Sequence, residues 1–280
     1  MSHTESLTIG VFDSGFGGLT VLRTLIERFP MARFVFLGDT ARLPYGSKSR
    51  RTIARYAAQS AQFLTREQGA EFLVIACNTA SALALDAIRE AVSVPVLGVI
   101  EPGAAAARTA SKTGDVLVIA TDATVHSHAY AAACETRGLR ALEKACPLLV
   151  PLVEEGWTSH AVTAEVLRIY LDELLAQAAA EGLNPDALVL GCTHYPLLRP
   201  LIEQTIARSA GAAIRVIDSA ESTADIATKL LQGGTARNDC RQGTLAIRFF
   251  ATDSVEKFER LGSTFLGRPV DDVRLIDLGG

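Results

Sequence analysis

The sequence is short of the features that assign a chain to a class by composition alone. Its 280 residues contain five cysteines, none in a CxxC pair, at positions 77, 134, 146, 192 and 240. The N-terminus has no basic stretch followed by a long apolar region, so no secretory signal is predicted. An odd, widely spaced set of cysteines in such a chain indicates reduced thiols and a cytoplasmic location, not a disulfide framework.

A broad basic surface and a long apolar run are also missing. The formal net charge is −4, which does not favour nucleic-acid binding. The densest positive run, Lys48, Arg50 and Arg51, is short and is expected to cap or solvate a helix start. The longest apolar runs have the length of strands, well short of the roughly 20 residues of a membrane helix. We therefore expect neither a nucleic-acid partner nor a membrane span.

Strand-like and helix-like segments alternate through most of the chain. Apolar residues make up 49% of the sequence and charged residues 21%, enough for one large domain or two of ordinary size. Short apolar, β-branched runs are typical of strands buried on both faces of a parallel sheet; they lie at 7–11, 34–37, 72–76, 94–99, 116–120, 187–190 and 214–217. A further strand is expected at 245–251. The alternation predicts a doubly wound α/β fold.

Two of the intervening segments have helical periodicity. Segment 19–29 places Leu22, Leu25, Ile26 and Phe29 along one face. Segment 159–181 places Val162, Val166, Ile169 and Leu174 along one face. We expect these faces to cover the sheets.

The chain contains a weak internal echo. FLVIACNT at 72–79 and ALVLGCTH at 187–194 are each an apolar strand that ends in a cysteine and leads into a helix. The pattern predicts two similar halves, each with one thiol at the carboxyl end of a strand, where α/β sheets bind ligands. Backbone N–H groups at such a junction favour a thiolate.

Two thiols in one site suit a particular reaction. Inverting an amino-acid α-carbon requires one group that removes the proton and another that returns a proton to the opposite face. Cysteine has an ordinary pKa of about 8.5, so a modest shift makes it a base near neutral pH. We therefore assign Cys77 and Cys192 to acid/base catalysis, with Asp13 and His194 as neighbours that assist proton transfer. Cys134, Cys146 and Cys240 are expected to be structural.

Other kinds of site fit the residues less well. Cys192 and His194 form half of a metal-site pattern, but no second ligand pair follows, so no metal is predicted. DSGFGG at 13–18 matches neither the dinucleotide nor the P-loop pattern, and its backbone N–H groups are expected to meet a small anion such as a carboxylate. No lysine stands where a pyridoxal phosphate Schiff base would form. We expect no cofactor.

Several segments together resemble the glutamate racemases, within the aspartate/glutamate racemase family. In chain order they are GVFDSGFGGLTV (10–21), GDTA (38–41) with PYG (44–46), ACNTA (76–80), GVIEPG (98–103), CP (146–147) with VPLVEEG (150–156), GCTHYPLL (191–198) and IDSA (217–220). The resemblance covers nearly the whole chain. Asp122, His126 and His128 depart from it, which leaves the detail of the pocket wall open.

The resemblance implies a fold and a domain division. It implies two similar doubly wound α/β domains with pseudo-twofold symmetry and the active site in the interdomain cleft. The first domain would be discontinuous, 1–98 plus 211–280, and the second would span 99–210. A homodimer is compatible with it.

The resemblance also implies the reaction and its residues. The reaction would be cofactor-independent interconversion of L- and D-glutamate, which supplies D-glutamate for peptidoglycan. Cys77 and Cys192 would be the proton donors and acceptors, with Cys77 acting on the D form and Cys192 on the L form. The assisting groups would be Asp13, His194 and Glu154, although Glu155 is adjacent to the last. Substrate contacts would fall on Asp13, Ser14, Tyr45, Gly46, Asn78, Thr79, Thr193 and His194.

Two alternatives to this function remain open from the sequence. One is an aspartate or hydantoin racemase of the same superfamily, which would share both thiols. The other is a non-catalytic protein whose two α/β lobes close on an amino acid.

Overall fold

The computed structural model describes residues 7–209, 214–233 and 245–279. Cys240, expected to be structural, lies outside these ranges. The described strands are β1 (Thr8–Asp13), β2 (Arg33–Gly38), β3 (Phe72–Ile75), β4 (Val96–Gly98), β5 (Asp115–Ala120), β6 (Arg140–Ala145), β7 (Ala187–Gly191), β8 (Arg215–Asp218), β9 (Ala246–Ala251) and β10 (Arg274–Leu275).

The described helices alternate with these strands. They are α1 (Leu19–Arg28), α2 (Arg50–Gln62), α3 (Asn78–Leu83), α4 (Leu85–Ala91), α5 (Ile100–Ala110), α6 (Asp122–His126), α7 (Ala129–Glu135), α8 (Leu149–Glu154), α9 (Ala161–Ala180), α10 (Arg199–Ser209), α11 (Ser219–Gly233) and α12 (Val255–Leu266). Short 3-10 segments occupy Thr40–Arg42, Tyr45–Ser47 and Tyr195–Leu198, and a π-helical turn occupies Phe63–Glu67.

The chain forms two compact units. One contains the described residues of 1–99 and 223–280, and the other contains residues 100–222. The strand β8 pairs with β7, so residues 215–218 belong to the second unit. The boundary implied by the resemblance, at residue 211, lies a few residues before β8.

Each unit is built on one parallel sheet, as the sequence predicted for the fold class. The first sheet has the order β10-β9-β2-β1-β3-β4 and the second has the order β6-β5-β7-β8. Every pair of neighbouring strands is parallel. In both sheets the central strands are fully buried, because helices cover both faces of a doubly wound sheet.

The predicted helix 19–29 has its expected face in the core, since Leu22, Leu25 and Ile26 are buried on α1. The face predicted for 159–181 is wrong. Val162 and Ile169 are 46% and 43% exposed. The buried stripe of α9 consists instead of Thr163, Leu167, Leu171, Leu174 and Ala178. This helix is apolar on more than one side, so periodicity alone does not identify the face that packs.

The basic run behaves as predicted. Ser49 caps α2 by accepting a hydrogen bond from the Thr52 N–H, and Arg50 and Arg51 are exposed in the first helical turn. No helix in the described part of the chain is long and apolar enough to cross a membrane.

Candidate active site

Five of the predicted site residues lie together at the carboxyl edge of the first sheet. The strand β1 ends at Asp13, and the neighbouring strand β3 leads two residues later into Cys77. Ser14 follows Asp13, and Asn78 and Thr79 begin α3 after Cys77. We call Asp13, Ser14, Cys77, Asn78 and Thr79 the Cys77 half-site.

The Cys77 thiol has hydrogen-bonding groups on two sides. Its Sγ lies 3.3 Å from the Ser14 hydroxyl oxygen. It also accepts a hydrogen bond from the Ala80 N–H at 3.4 Å, which makes Cys77 the N-cap of α3. Both contacts favour negative charge on the sulphur.

Burial works in the opposite direction and is the larger effect. Desolvation and the nearby Asp13 carboxylate raise the pKa of Cys77 to about 12, against the lowering effect of the Ser14 and Ala80 hydrogen bonds. Without substrate, Cys77 is therefore a protonated thiol at neutral pH, suited to donate a proton.

The glycine-rich turn supports Asp13. The Gly15 N–H, assigned by the sequence analysis to a bound anion, instead donates to the Asp13 carboxylate at 2.9 Å. A Cβ on Gly18 would come within 2.6 Å of the Asp13 Cβ and 2.8 Å of the Ala76 Cβ. A larger residue there would displace the carboxylate, which explains the glycine.

Tyr45 is buried, and its hydroxyl has a partner within the protein. Its side chain is 2% exposed, and its hydroxyl donates to Asp39 at 2.6 Å. The hydroxyl is thus already engaged within the protein, and the predicted substrate contact at Tyr45 and Gly46 stays a prediction. The backbone of Tyr45 and Gly46 remains the candidate contact, and a Cβ on Gly46 would have open space around it.

The second unit brings together four predicted residues, Glu154, Cys192, Thr193 and His194, which we call the Cys192 half-site. Cys192 follows the central strand β7, as Cys77 follows β3. The His194 ring lies between two partners: Nδ1 is 3.8 Å from the Cys192 Sγ, and Nε2 is 3.4 Å from the Glu154 Oε1. The Thr193 hydroxyl lies 3.5 Å from Nδ1.

The charge on His194 follows from these partners. Burial lowers the pKa of the ring, but the hydrogen bonds and charges of Cys192 and Glu154 outweigh burial and raise that pKa to about 10. A raised pKa keeps the ring in its charged form over a wider pH range, and Glu154 contributes to this at Nε2.

The turn after Cys192 is held by hydrogen bonds of Tyr195. The buried Tyr195 hydroxyl donates to the carbonyl oxygens of Ala120 and Cys146, at 3.2 and 3.0 Å. This fixes the segment that carries Thr193 and His194 to the end of β5. The role of Tyr195 was missed by the sequence analysis, although the residue stands in the GCTHYPLL segment.

The remaining described cysteines are buried and free of disulfides. Cys134 and Cys146 are both fully buried, and burial raises their pKa values to about 11 and about 12. This agrees with the structural role expected for them. Among the described side chains, His, Cys, Asp and Glu form no group of three or more that could hold a metal ion.

The departures at Asp122, His126 and His128 are explained by local side-chain contacts of the two histidines. His126 Nδ1 lies 3.2 Å from Asp122, and His128 Nδ1 lies 3.1 Å from Glu143. Both histidine side chains are exposed. Their contacts explain the residues locally without assigning them to the chemistry.

In each unit a cysteine follows the carboxyl end of an interior strand of the parallel sheet, and comparison with known proteins places this two-sheet α/β fold among the racemases. The model of the Asp/Glu/hydantoin racemase family matches residues 14–227. The chain belongs to this family and is an amino-acid racemase, an isomerase.

Individual relatives match over nearly their full length. The chain is 53% identical to a glutamate racemase of Koribacter versatilis, with 97% of this chain and 98% of the relative covered. It is similar to the structure of Francisella tularensis glutamate racemase in complex with D-glutamate, at a TM-score of 0.86, 34% identity and 98% coverage of each chain. The Bacillus anthracis isoform RacE1 gives a TM-score of 0.87, with 36% identity and 99% coverage of each chain.

Proposed function

We propose that this protein interconverts L- and D-glutamate by a two-base mechanism in which Cys77 and Cys192 are the proton donors and acceptors. The observation that carries the proposal is the pair of half-sites. Each presents a thiol after the carboxyl end of an interior strand, and each gives that thiol a different ionisable neighbour. The assignment of glutamate is supported by the relatives, which carry that substrate in their names.

The proton inventory of the mechanism is simple. One cysteine thiolate takes the α-proton of the amino acid, and the electron pair left on carbon is delocalised into the carboxylate. The other cysteine, as a thiol, gives its proton to the opposite face of the same carbon. After the reaction the first cysteine is a thiol and the second is a thiolate, so the enzyme is ready for the opposite direction.

The direction of each step follows the resemblance. Cys192 would act on the L form and Cys77 on the D form. Asp13 is placed to accept or return a proton beside Cys77, and Glu154 holds the His194 ring. Substrate carboxylates and the amino group would be bound by Ser14, Asn78, Thr79, Thr193 and the Tyr45–Gly46 backbone.

The same proposal extends to the cell. A glutamate racemase acting in the cytoplasm would supply D-glutamate for peptidoglycan synthesis. The two compact units would be the two domains of the enzyme, with α11 carrying the chain back to the first.

The experiment is a solvent-exchange assay. Purified protein without added cofactor is incubated with L-glutamate in deuterated buffer, and circular dichroism and the α-proton signal are followed together. We expect loss of optical activity accompanied by α-deuterium incorporation. The same assay with L-aspartate tests the alternative substrate, and exclusive turnover of aspartate would overturn the assignment of glutamate. A Cys77→Ala, Cys192→Ala double variant controls for a contaminating racemase.

A further inference from the structure

A buried carboxylate that the mechanism does not use lies beside the Cys77 half-site. Asp39 follows β2, is fully buried, and has three side-chain donors around it. Its Oδ1 accepts hydrogen bonds from Arg42 Nε and from the Thr252 hydroxyl, both at 2.9 Å. Its Oδ2 accepts the 2.6 Å hydrogen bond of the Tyr45 hydroxyl. A charge buried so deeply is retained because it is paired and fully hydrogen-bonded.

Tyr45 connects this carboxylate to the half-site. Tyr45 belongs to the same buried cluster as Phe12 and Cys77, with its ring centroid 6.3 Å from that of Phe12. The loop formed by residues 40–47 also contacts the turn after Asp13, since a Cβ on Gly15 would lie 3.3 Å from the Leu43 side chain. The segment from Thr40 to Ser47 therefore borders the Cys77 half-site.

The other end of the network comes from the C-terminal part of the chain. The strand β9 pairs with β2, and Thr252 follows its last residue. The Thr252 hydroxyl donates to Asp39 and accepts from the Ala41 N–H at 2.9 Å. Next to it, the Thr40 hydroxyl donates to the Asp253 carbonyl oxygen and accepts from the Asp253 N–H. The loop is thus fastened to a strand more than two hundred residues away.

We propose that Asp39 and Thr252 are positioning residues that hold the Tyr45–Gly46 backbone at the place where it binds a substrate carboxylate. Neither touches substrate. Asp39 acts through the Tyr45 hydroxyl, and Thr252 acts through Asp39 and the Ala41 N–H. The inference rests on the proposed function, because it gives that segment a role in binding glutamate.

The first test compares Thr252→Val with Thr252→Ser. Valine keeps the shape and removes the hydroxyl, while serine keeps the hydroxyl. We expect Thr252→Val and Asp39→Asn each to raise KM for glutamate about tenfold, the loss of about one preorganised hydrogen bond, with kcat changed less than about threefold. Thr252→Ser is expected to restore KM. The double variant Asp39→Asn, Thr252→Val should raise KM by less than the product of the single effects, because both act on one network.

The matched control is Asp115→Asn in the second unit. Asp115 is also a buried carboxylate, held by two hydrogen bonds from Arg140 at 2.8 and 2.9 Å, but it lies at the amino end of β5, away from the Cys192 half-site. The Asp115→Asn variant should lose thermal stability without a change in KM for glutamate.

The outcomes separate the two proposals. If Thr252→Val and Asp39→Asn lose stability as Asp115→Asn does and keep the wild-type KM, the network is only structural and the positioning role is overturned. If the wild-type protein does not racemise glutamate, the proposed function fails and the positioning role fails with it. If Asp39→Asn does not fold, the comparison of Thr252→Val with Thr252→Ser decides.

Discussion

The two half-sites hold the same reactive atom in opposite electrostatic surroundings. Cys77 and Cys192 are 5% and 6% exposed, so they do not differ in access to solvent. Cys77 has a hydroxyl, a backbone N–H and a carboxylate near it, and its pKa is raised to about 12. Cys192 instead has a histidine ring whose own pKa is raised to about 10 by Cys192 and Glu154. The two units therefore have similar folds but place different ionisable groups beside their thiols.

This difference supplies what a two-base reaction needs at its start. If both thiols were protonated, no base would be present, and if both were ionised, no acid would be present. Burial and the Asp13 carboxylate hold Cys77 as a thiol in the free protein, whereas Cys192 has the His194 ring beside it, which can give or take a proton. The difference between the two half-sites comes from the side chains next to each thiol, Asp13 and His194, and not from the arrangement of strands and helices.

The largest expected effect is the loss of either thiol. Cys77→Ala and Cys192→Ala should each lower the rate of racemisation at least about a thousandfold, because only one face of the α-carbon keeps its acid/base group. The measurement is the initial rate of change in circular dichroism with either enantiomer. Cys134→Ala, which removes a buried thiol from α7, is the control and should retain near-wild-type turnover. Near-wild-type turnover by Cys192→Ala would refute the two-base assignment.

The assisting groups should separate the two directions. Asp13→Asn and His194→Asn are each expected to lower kcat/KM about a hundredfold. The enantiomers have equal free energy in water, so kcat/KM must fall equally in both directions. The difference must therefore appear in kcat and KM taken separately.

We expect the ratio of kcat for L-glutamate to kcat for D-glutamate to move in opposite senses in Asp13→Asn and His194→Asn, because each residue serves a different thiol. Steady-state kinetics with each enantiomer measures this ratio. Movement in the same sense in both variants would show that the half-sites are not specialised as the structure indicates.

Alkylation tests the free protein without substrate. With a pKa of about 12, about one Cys77 in ten thousand is a thiolate at pH 8. We expect iodoacetamide to modify Cys192 at least about tenfold faster than Cys77, because the thiolate is the nucleophile and burial with Asp13 suppresses it at Cys77, whereas a histidine ring lies beside Cys192. Peptide mass spectrometry over a time course gives both rates. In His194→Asn the preference should shrink, and equal rates in the wild-type protein would contradict the assignment of acid and base.

The sequence predicted the frame of the molecule better than its exposed parts. The seven apolar runs and the strand at 245–251 are all present within a few residues, because doubly buried strands have a continuous apolar signature. The edge strand β6 was missed, since its sequence RALEKA has charged residues and only one fully buried position. Strand β10 has two residues, both exposed, and gives no pattern to read.

The site residues stay a prediction, but the structure explains why the motifs singled out the two thiols. Cys77 and Cys192 follow buried apolar strands, whose signature is visible in the sequence. The hydrogen bond between the Tyr45 hydroxyl and Asp39 could not be predicted from the sequence. Whether a tyrosine faces a ligand or the core depends on its partner, and Asp39 is itself held by Thr252, far along the chain. Likewise, α9 offered two apolar stripes, and only packing selects the leucine stripe.

The smallest expected effect concerns two adjacent glutamates. Glu154 is the last residue of α8 and lies 3.4 Å from His194 Nε2, while Glu155 is exposed. Glu154→Gln keeps the size of the side chain and removes the charge that helps to raise the pKa of His194. We expect kcat to fall about three- to tenfold, since an assisting charge one step from the thiol contributes roughly 1 kcal/mol.

Glu155→Gln is the matched control, with the same change one residue along the chain. Its steady-state kinetics should equal those of the wild type. The upper pKa of the kcat/KM profile should move down only in Glu154→Gln, because the ring loses a partner that favours its charged form. If both variants behave alike, Glu154 merely solvates the turn after α8, and the asymmetry between the half-sites rests on His194 alone.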